Sequence, residues 1–381
     1  MKICAIICEY NPFHNGHLWH IQQAKKLSNA DAVICLMSGN FVQRGEAAIL
    51  DKYTRAKHAV LAGADIVLEL PTIFATSNAE LFAKGAIHIL SSIPEVEILS
   101  FGAENADKTA FKLAARYFIE EPKEVSEKIK QQLDMGISYA KARANAFAGF
   151  IPLDVLSSPN NILGIEYTRA ILQKDCNIDI LPIQRTGANY NDESLQDNYS
   201  SASAIRNAIS HGVAVNGNVP DFVQNDLPNI LQNKLEVLVK YAILIRNQQE
   251  IASVCDCNEG LENAFKSAAK TNEPLIETLT SSRYTSSRIR RIALHTLLNI
   301  EENLIRESLQ SPLYLRILAI KQGRDELLSV LSNSNFPLLV RPRDYKNLAG
   351  VAKECFEKDA FAEDIYRLLY PTFEIPKSIF I

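Results

Sequence analysis

Five short β-rich apolar runs, residues 2–8, 31–37, 64–70, 96–101 and 178–183, punctuate the first half of the chain. The intervals at 16–27, 51–62, 78–91, 106–148 and 161–172 read as helices, with apolar residues recurring at three- and four-residue spacing. This alternation leaves few folds open. Parallel strands need long crossovers, right-handed crossovers put helices on both faces, and both faces of the sheet are then covered. The expectation is an α/β protein with a Rossmann-like doubly wound parallel sheet, whose ligands sit beyond the carboxyl ends of the strands near the topological switch point.

The turn after the first run reads Glu9-Tyr10-Asn11-Pro12-Phe13-His14-Asn15-Gly16-His17. It places two imidazoles three residues apart at a strand-to-helix junction, where backbone N–H groups and the helix dipole attract phosphate. One helical turn separates the rings, so both can address one anion, and Gly16 allows close backbone approach. The same pair could simply cap the helix. A metal pair is disfavoured, because H-x-x-H with no nearby Cys or Glu-x-x-His partner offers too few ligands. Ser38-Gly39-Asn40 after the second run and Gly102 after the fourth fall at the same end of the sheet.

With 381 residues, 47% of them hydrophobic and 22% charged, the chain has room for two soluble domains. A strand pattern starting within three residues of Met1 leaves no space for a signal peptide, and no apolar run approaches the roughly 18 residues that span a bilayer. A cytoplasmic protein with no membrane contact is expected. Seven cysteines scattered through apolar runs, without a C-x-x-C pair, suit a reducing compartment.

Past residue 211 a turn-rich connector leads into a mainly helical part, with helices expected at 228–247, 261–270, 274–280, 287–299 and 312–320, an extended piece at 336–341 and a helix at 360–369. The expected division is a phosphate-binding α/β domain over 1–211 and a mainly helical domain over 221–381, which the resemblance described below makes the ATP-binding catalytic domain and the tRNA-binding domain. The net charge of −4 gives no hint of nucleic acid, but residues 279–346 hold eleven Lys or Arg against six acids. A basic segment in an acidic protein suits a polyanion.

A second phosphate-binding candidate is Ser200-Ser201-Ala202-Ser203-Ala204-Ile205-Arg206. Hydroxyls at a helix start cap it or meet phosphate, and Arg206 can fork onto phosphate oxygens. Together with the histidine turn, this resembles the nucleotidyltransferases that carry H-x-G-H and I-S-S-T-x-x-R, with Ala202 and Ser203 departing from the second motif. Closer still, residues 9–17, Ser38-Gly39-Asn40-Phe41-Val42-Gln43-Arg44-Gly45-Glu46, Gly63–Pro71, Ser100-Phe101-Gly102 and Pro159-Asn160-Asn161-Ile162-Leu163-Gly164-Ile165-Glu166-Tyr167 together resemble the bacterial tRNA(Met) cytidine acetate ligases over essentially the whole chain.

That resemblance implies an enzyme that activates acetate with ATP to acetyl-adenylate and then acetylates N4 of the wobble cytidine of elongator tRNA(Met). It implies His14 and His17 as catalytic donors. For the nucleotide it implies Ile7, Glu9, Asn11, Pro12, Phe13, Asn15, Gly16 and His20 under the phosphates, Gly102 against adenosine, Asn160 or Asn161 nearby, Arg185 on the far wall, and Ser201 and Arg206. ATP is the co-substrate, with Mg2+ as its optional companion; no protein metal site and no particular oligomeric state is implied.

Asn40 and Gln43 are candidates to read the base edge, Phe41 to stack on it and Arg44 to meet a phosphate, unless this stretch is only a structured loop. Arg283, Arg288, Arg290 and Arg291 are candidates for the tRNA backbone, although a charged, solvated face would look the same. Two other functions keep the same nucleotide site: an adenylyltransferase acting on a small phosphorylated acceptor, and a non-catalytic RNA-binding protein. The large helical part argues against the first, and the intact His14, Gly16 and His17 against the second.

Overall fold

The computed structural model describes residues 1–381 apart from 153–154, 157, 186–194, 196–198, 229–233 and 377. Apolar runs bounded by turn residues become the parallel strands: β1 (Ile3–Cys8), β2 (Ala32–Ser38), β5 (Ile66–Leu70), β6 (Val96–Ala103) and β7 (Asp179–Gln184). Phe41–Val42 (β3) and Glu46–Ala47 (β4) form a small antiparallel hairpin beside them. The main sheet is completed by β8 (Leu315–Ile320) and β9 (Leu338–Leu339), in the order β7-β6-β1-β2-β5-β8-β9.

Alternate residues of β1 serve two cores. Ile3, Ala5 and Ile7 pack into one apolar layer and Cys4 and Ile6 into the other. A strand buried on both faces needs apolar residues throughout, which is why the sequence signal is a run and not an alternation. The strands from β7 to β5 are parallel; β1 pairs with β2 on one side and β6 on the other. The chain thus runs outward in one direction, then restarts from β1 in the other, and the crevice opens where β1 and β6 part.

Several expectations need correction or new bounds. Residues 312–320, expected helical, contain strand β8, which runs antiparallel to β5. Leu315-Arg316-Ile317-Leu318-Ala319-Ile320 is a short apolar run whose period cannot separate strand from helix, and the open side of β5 decides it. The long 106–148 segment is three helices, Lys108–Ile119, Lys123–Asp134 and Tyr139–Phe147, of which the first is capped by Asp107. The helix expected over 228–247 spans Leu235–Ile245, and 229–233 lie outside the described residues.

The last helix, Gly350–Leu369, begins well before its expected start and returns to the strand ends. Asp359 Oδ1 accepts from Thr72 N at 2.7 Å, and Tyr366 donates its hydroxyl to Ala48 O at 2.9 Å. Between this helix and the sheet lies a buried ion cluster. Lys52 Nζ is 2.7 Å from Glu69 and 3.0 Å from Glu363, while Arg316 of β8 is 3.0 Å from Glu69.

Candidate active site

β1 ends at Cys8, and the turn that follows is tied down from beneath. The wholly buried Arg55 donates to Glu9 O at 2.5 Å, Ser38 O at 3.2 Å, Leu50 O at 2.9 Å and Gly39 O, joining the loops after β1 and β2. The Asn11 side chain accepts from Ile49 N at 2.9 Å. Phe13 is fully buried, with its ring centroid 4.8 Å from that of Tyr10 and 5.6 Å from that of His17. Asn15 donates to Gly217 O at 2.7 Å. Pro12, Phe13 and Asn15 were expected at the nucleotide, yet none lines the cleft; they set the shape of the turn.

The two histidines start the helix Asn15–Ser28 by capping each other's backbone. His14 Nδ1 accepts from Gly16 N at 3.0 Å, and His17 Nδ1 accepts from His14 N at 3.3 Å. Their rings stack with centroids 3.6 Å apart. A nitrogen that accepts a backbone N–H carries no proton, so in the neutral ring the proton is on Nε2. Burial, reinforced by Arg185 and Arg206, holds His14 down to about 3; burial and its neighbour His14 hold His17 well below its ordinary value. The site therefore presents two neutral Nε2–H donors. His20, lowered to about 4 by burial and then Arg185, sits 3.0 Å from Ser100 Oγ.

The cleft lies at the carboxyl ends of β1 and β6 and is lined by residues from both layers. Ile7, Glu9, Asn11, His14, Gly16, His17 and His20 line it from the first turn, Gly102 from β6, and Arg185 from the end of β7. A Cβ on Gly102 would stand 3.4 Å from Arg185 Cγ, in ordinary van der Waals contact with that wall. The pair Asn160-Asn161 divides its roles. Asn160 lines the cleft and donates to Glu104 at 2.6 Å, whereas Asn161 is fully buried and accepts from Glu104 N at 2.9 Å. Ser201 caps the helix Ala202–Ser210 through Ala204 N at 3.0 Å, and Arg206 reaches Asn11 O at 2.7 Å and Ser203 Oγ at 3.3 Å. Phe82, Phe101, Leu163 and Tyr167 form an apolar wall that was not singled out in the sequence.

The β3–β4 hairpin forms the lip, but only part of it faces the cleft. Gln43 and Arg44 line it, and Gln43 N donates to Glu9 Oε1 at 2.7 Å. Phe41, expected to stack on a base, is 0% exposed and meets Tyr366 edge-on. Asn40 is likewise buried, accepting from Lys52 N at 2.8 Å. Gly45, at φ +75°, lies so close to the backbone of Arg290 and Arg291 that a Cβ would come within 2.6 Å of it. The hairpin thus bridges the cleft and the helix Ser286–Leu298.

The arginines of that helix do not form one open face. Arg291 is mostly buried and faces Asp256 at 3.7 Å; Arg288 donates to Asp256 O at 2.9 Å and to Asn258. Arg290 pairs with Glu46 at 3.0 Å. Arg283 is exposed, though held by Glu259 at 2.7 Å. Arg288 and Arg291, three residues apart, thus pack on the loop at 256–258 instead of forming a solvated face.

The fold and site define the class. The model of the HIGH Nucleotidyl Transferase family matches residues 1–378. The chain is 40% identical to a tRNA(Met) cytidine acetate ligase of Thermoanaerobacter sp. (strain X514), covering 100% of this chain and 98% of that protein, and 38% identical to the corresponding protein of Caldanaerobacter subterraneus, with the same coverage. Among solved structures it resembles Thermotoga maritima TmcAL, with 29% identity and TM-scores of 0.90 to the apo form I and 0.86 to form II bound with alpha-thio ATP, covering 100% of this chain and 99% and 97% of those chains. The chain belongs to the tRNA(Met) cytidine acetate ligase family. No helix among the described residues is long and apolar enough to cross a membrane.

Proposed function

We infer that this protein is an ATP-dependent ligase that joins acetate to AMP as acetyl-adenylate and then acetylates N4 of the wobble cytidine of elongator tRNA(Met) in the cytoplasm. The observation that carries the reading is the pair of neutral Nε2–H donors at a helix start, beside the β1–β6 crevice. Acetate is a poor electrophile, and exchange of pyrophosphate for its carboxylate makes a mixed anhydride. During that exchange charge grows on α-phosphate oxygens. Preorganised donors aimed there contribute about 10²–10³ in rate each.

In this reading Arg206 and the Ser201 helix start hold the outer phosphates, and Gly102, Asn160 and Arg185 bound the adenosine. Among the described residues that line the cleft Glu9 is the one carboxylate, and in this reading any Mg2+ arrives on the triphosphate. The part after residue 221 takes the tRNA, with Gln43 and Arg44 at the entrance for the cytosine. Incubation with ATP, radiolabelled acetate and bulk tRNA, leaving out one component at a time, tests this. Label in tRNA that requires all three is the expected result; AMP transfer to a small phosphorylated acceptor without acetate would replace the reading.

A further inference from the structure

Acetyl transfer needs something the first step does not: an acceptor for a proton. As the N4 lone pair closes on the acyl carbon, the bond from that carbon to the phosphate oxygen breaks, AMP leaves with the electron pair, and N4 must lose one hydrogen. The histidines are poorly placed to take it. His14 Nδ1 and His17 Nδ1 are committed to backbone N–H groups, and each remaining nitrogen already bears a proton. His20 Nε2 is engaged with Ser100 Oγ. Arginines are donors only.

Among the described residues that line the cleft, one side chain is a carboxylate, Glu9. It lies between the histidine turn and the hairpin lip. Gln43 N–H fixes Oε1 at 2.7 Å, which orients the group and leaves Oε2 as its second acceptor atom. Resting on the ligase reading above, we propose that Glu9 is the general base of the transfer step, taking the N4 proton on Oε2 and passing it to solvent after AMP departs.

The surroundings favour this work. Burial raises the proton affinity of Glu9 above that of an ordinary glutamate, against the pull of Gln43 N–H, Arg206, Arg44 and Arg55. A carboxylate of raised basicity is the better proton acceptor near neutral pH. Tyr167 also faces it and is held protonated by burial. Arg55 donates to the Glu9 carbonyl, fixing the backbone from which the side chain projects.

The test separates the two steps in Glu9→Gln, whose amide oxygen can still accept from Gln43 N. Transfer from preformed acetyl-adenylate to tRNA should fall about 10²–10⁴-fold in a single turnover, the usual range for loss of a general base. Acetate-dependent pyrophosphate exchange should fall by much less. The wild-type transfer rate should rise with pH through one ionisation, and that ionisation should vanish from the Glu9→Gln profile; Glu9→Asp should restore part of the rate. Equal losses in both steps, or an unchanged pH profile, would overturn the assignment and make Glu9 a phosphate-side or structural residue. If the wild-type protein itself acetylated no tRNA, the ligase reading would have failed instead.

Discussion

Two polar centres sit on this sheet, and they use buried polarity in opposite ways. Around Lys52, Glu69, Arg316 and Glu363, full charges meet full charges, each within about hydrogen-bonding range of a partner, and the cluster ties β5, β8 and the last helix together. His14 and His17, by contrast, are neutral: each commits one nitrogen to the helix start, and both rings line the cleft. The first centre is closed on itself and stabilises the fold. The second keeps its donors for an outside anion, and its two rings add no net charge to the site.

The sharpest way to break this contrast is Lys52→Met. It leaves Glu69 and Glu363 buried with less cation than they need, and removal of one partner of such a cluster costs about 3–5 kcal/mol. Denaturant unfolding should show that loss, whereas His17→Ala should unfold within about 1–2 kcal/mol of wild type. Comparable losses in the two variants would erase the distinction.

Activity should answer in reverse. His17→Ala is expected to lower acetate-dependent pyrophosphate exchange about 10²–10³-fold. His14→Asn refines the test, since asparagine caps a helix well but lacks the imidazole donor. It should keep the stability that His14→Ala loses while sharing its slow exchange. Wild-type exchange in either His14 variant would remove that ring from the chemistry.

Neutral histidines also give a pH signature. A histidine whose folded pKa lies below its unfolded value near 6.5 contributes stability above about pH 6.5 and loses it as the pH falls toward the folded value. His14 and the core residue His295, both held to about 3 by burial, act in this direction. Asp359, raised to about 6 by burial and then Glu69, offsets part of the loss below pH 6. For His295 the loss should reach about 2 kcal/mol by pH 5. Urea midpoints for wild type and His295→Gln should therefore converge between pH 7 and 5; parallel curves would mean the ring takes up a proton as readily in the fold as in the unfolded chain.

The smallest effect belongs to the helical part. Because Arg291 and Arg288 are occupied by Asp256 and the loop at 256–258, Arg283→Ala should flatten the salt dependence of tRNA binding by at most about one charge. A larger change in the slope would mean that the loop rearranges on binding.

The sequence made the nucleotide half readable because its signals are local: a strand run, a turn of unusual residues, a helix start. Phe41 escaped such reading, since its partner Tyr366 lies on the last helix and nothing near residue 41 announces it. The same holds for Arg55, whose acceptors are carbonyls of three separate loops, and for the division of labour between Asn160 and Asn161. β8 was misread for a related reason. Its period is ambiguous, and only the unpaired side of β5, far earlier in the chain, selects a strand.

That pairing of β8 with β5 sets an order on synthesis. On the ribosome, β1, β2, β5, β6 and β7 emerge early and can assemble, yet β5 keeps a bare hydrogen-bonding edge until residues 315–320 follow. Glu69 waits with it, lacking Arg316. An edge strand held open for that long is a template for the wrong neighbour. The nascent nucleotide half is therefore the stage at which this chain most needs protection from its own copies.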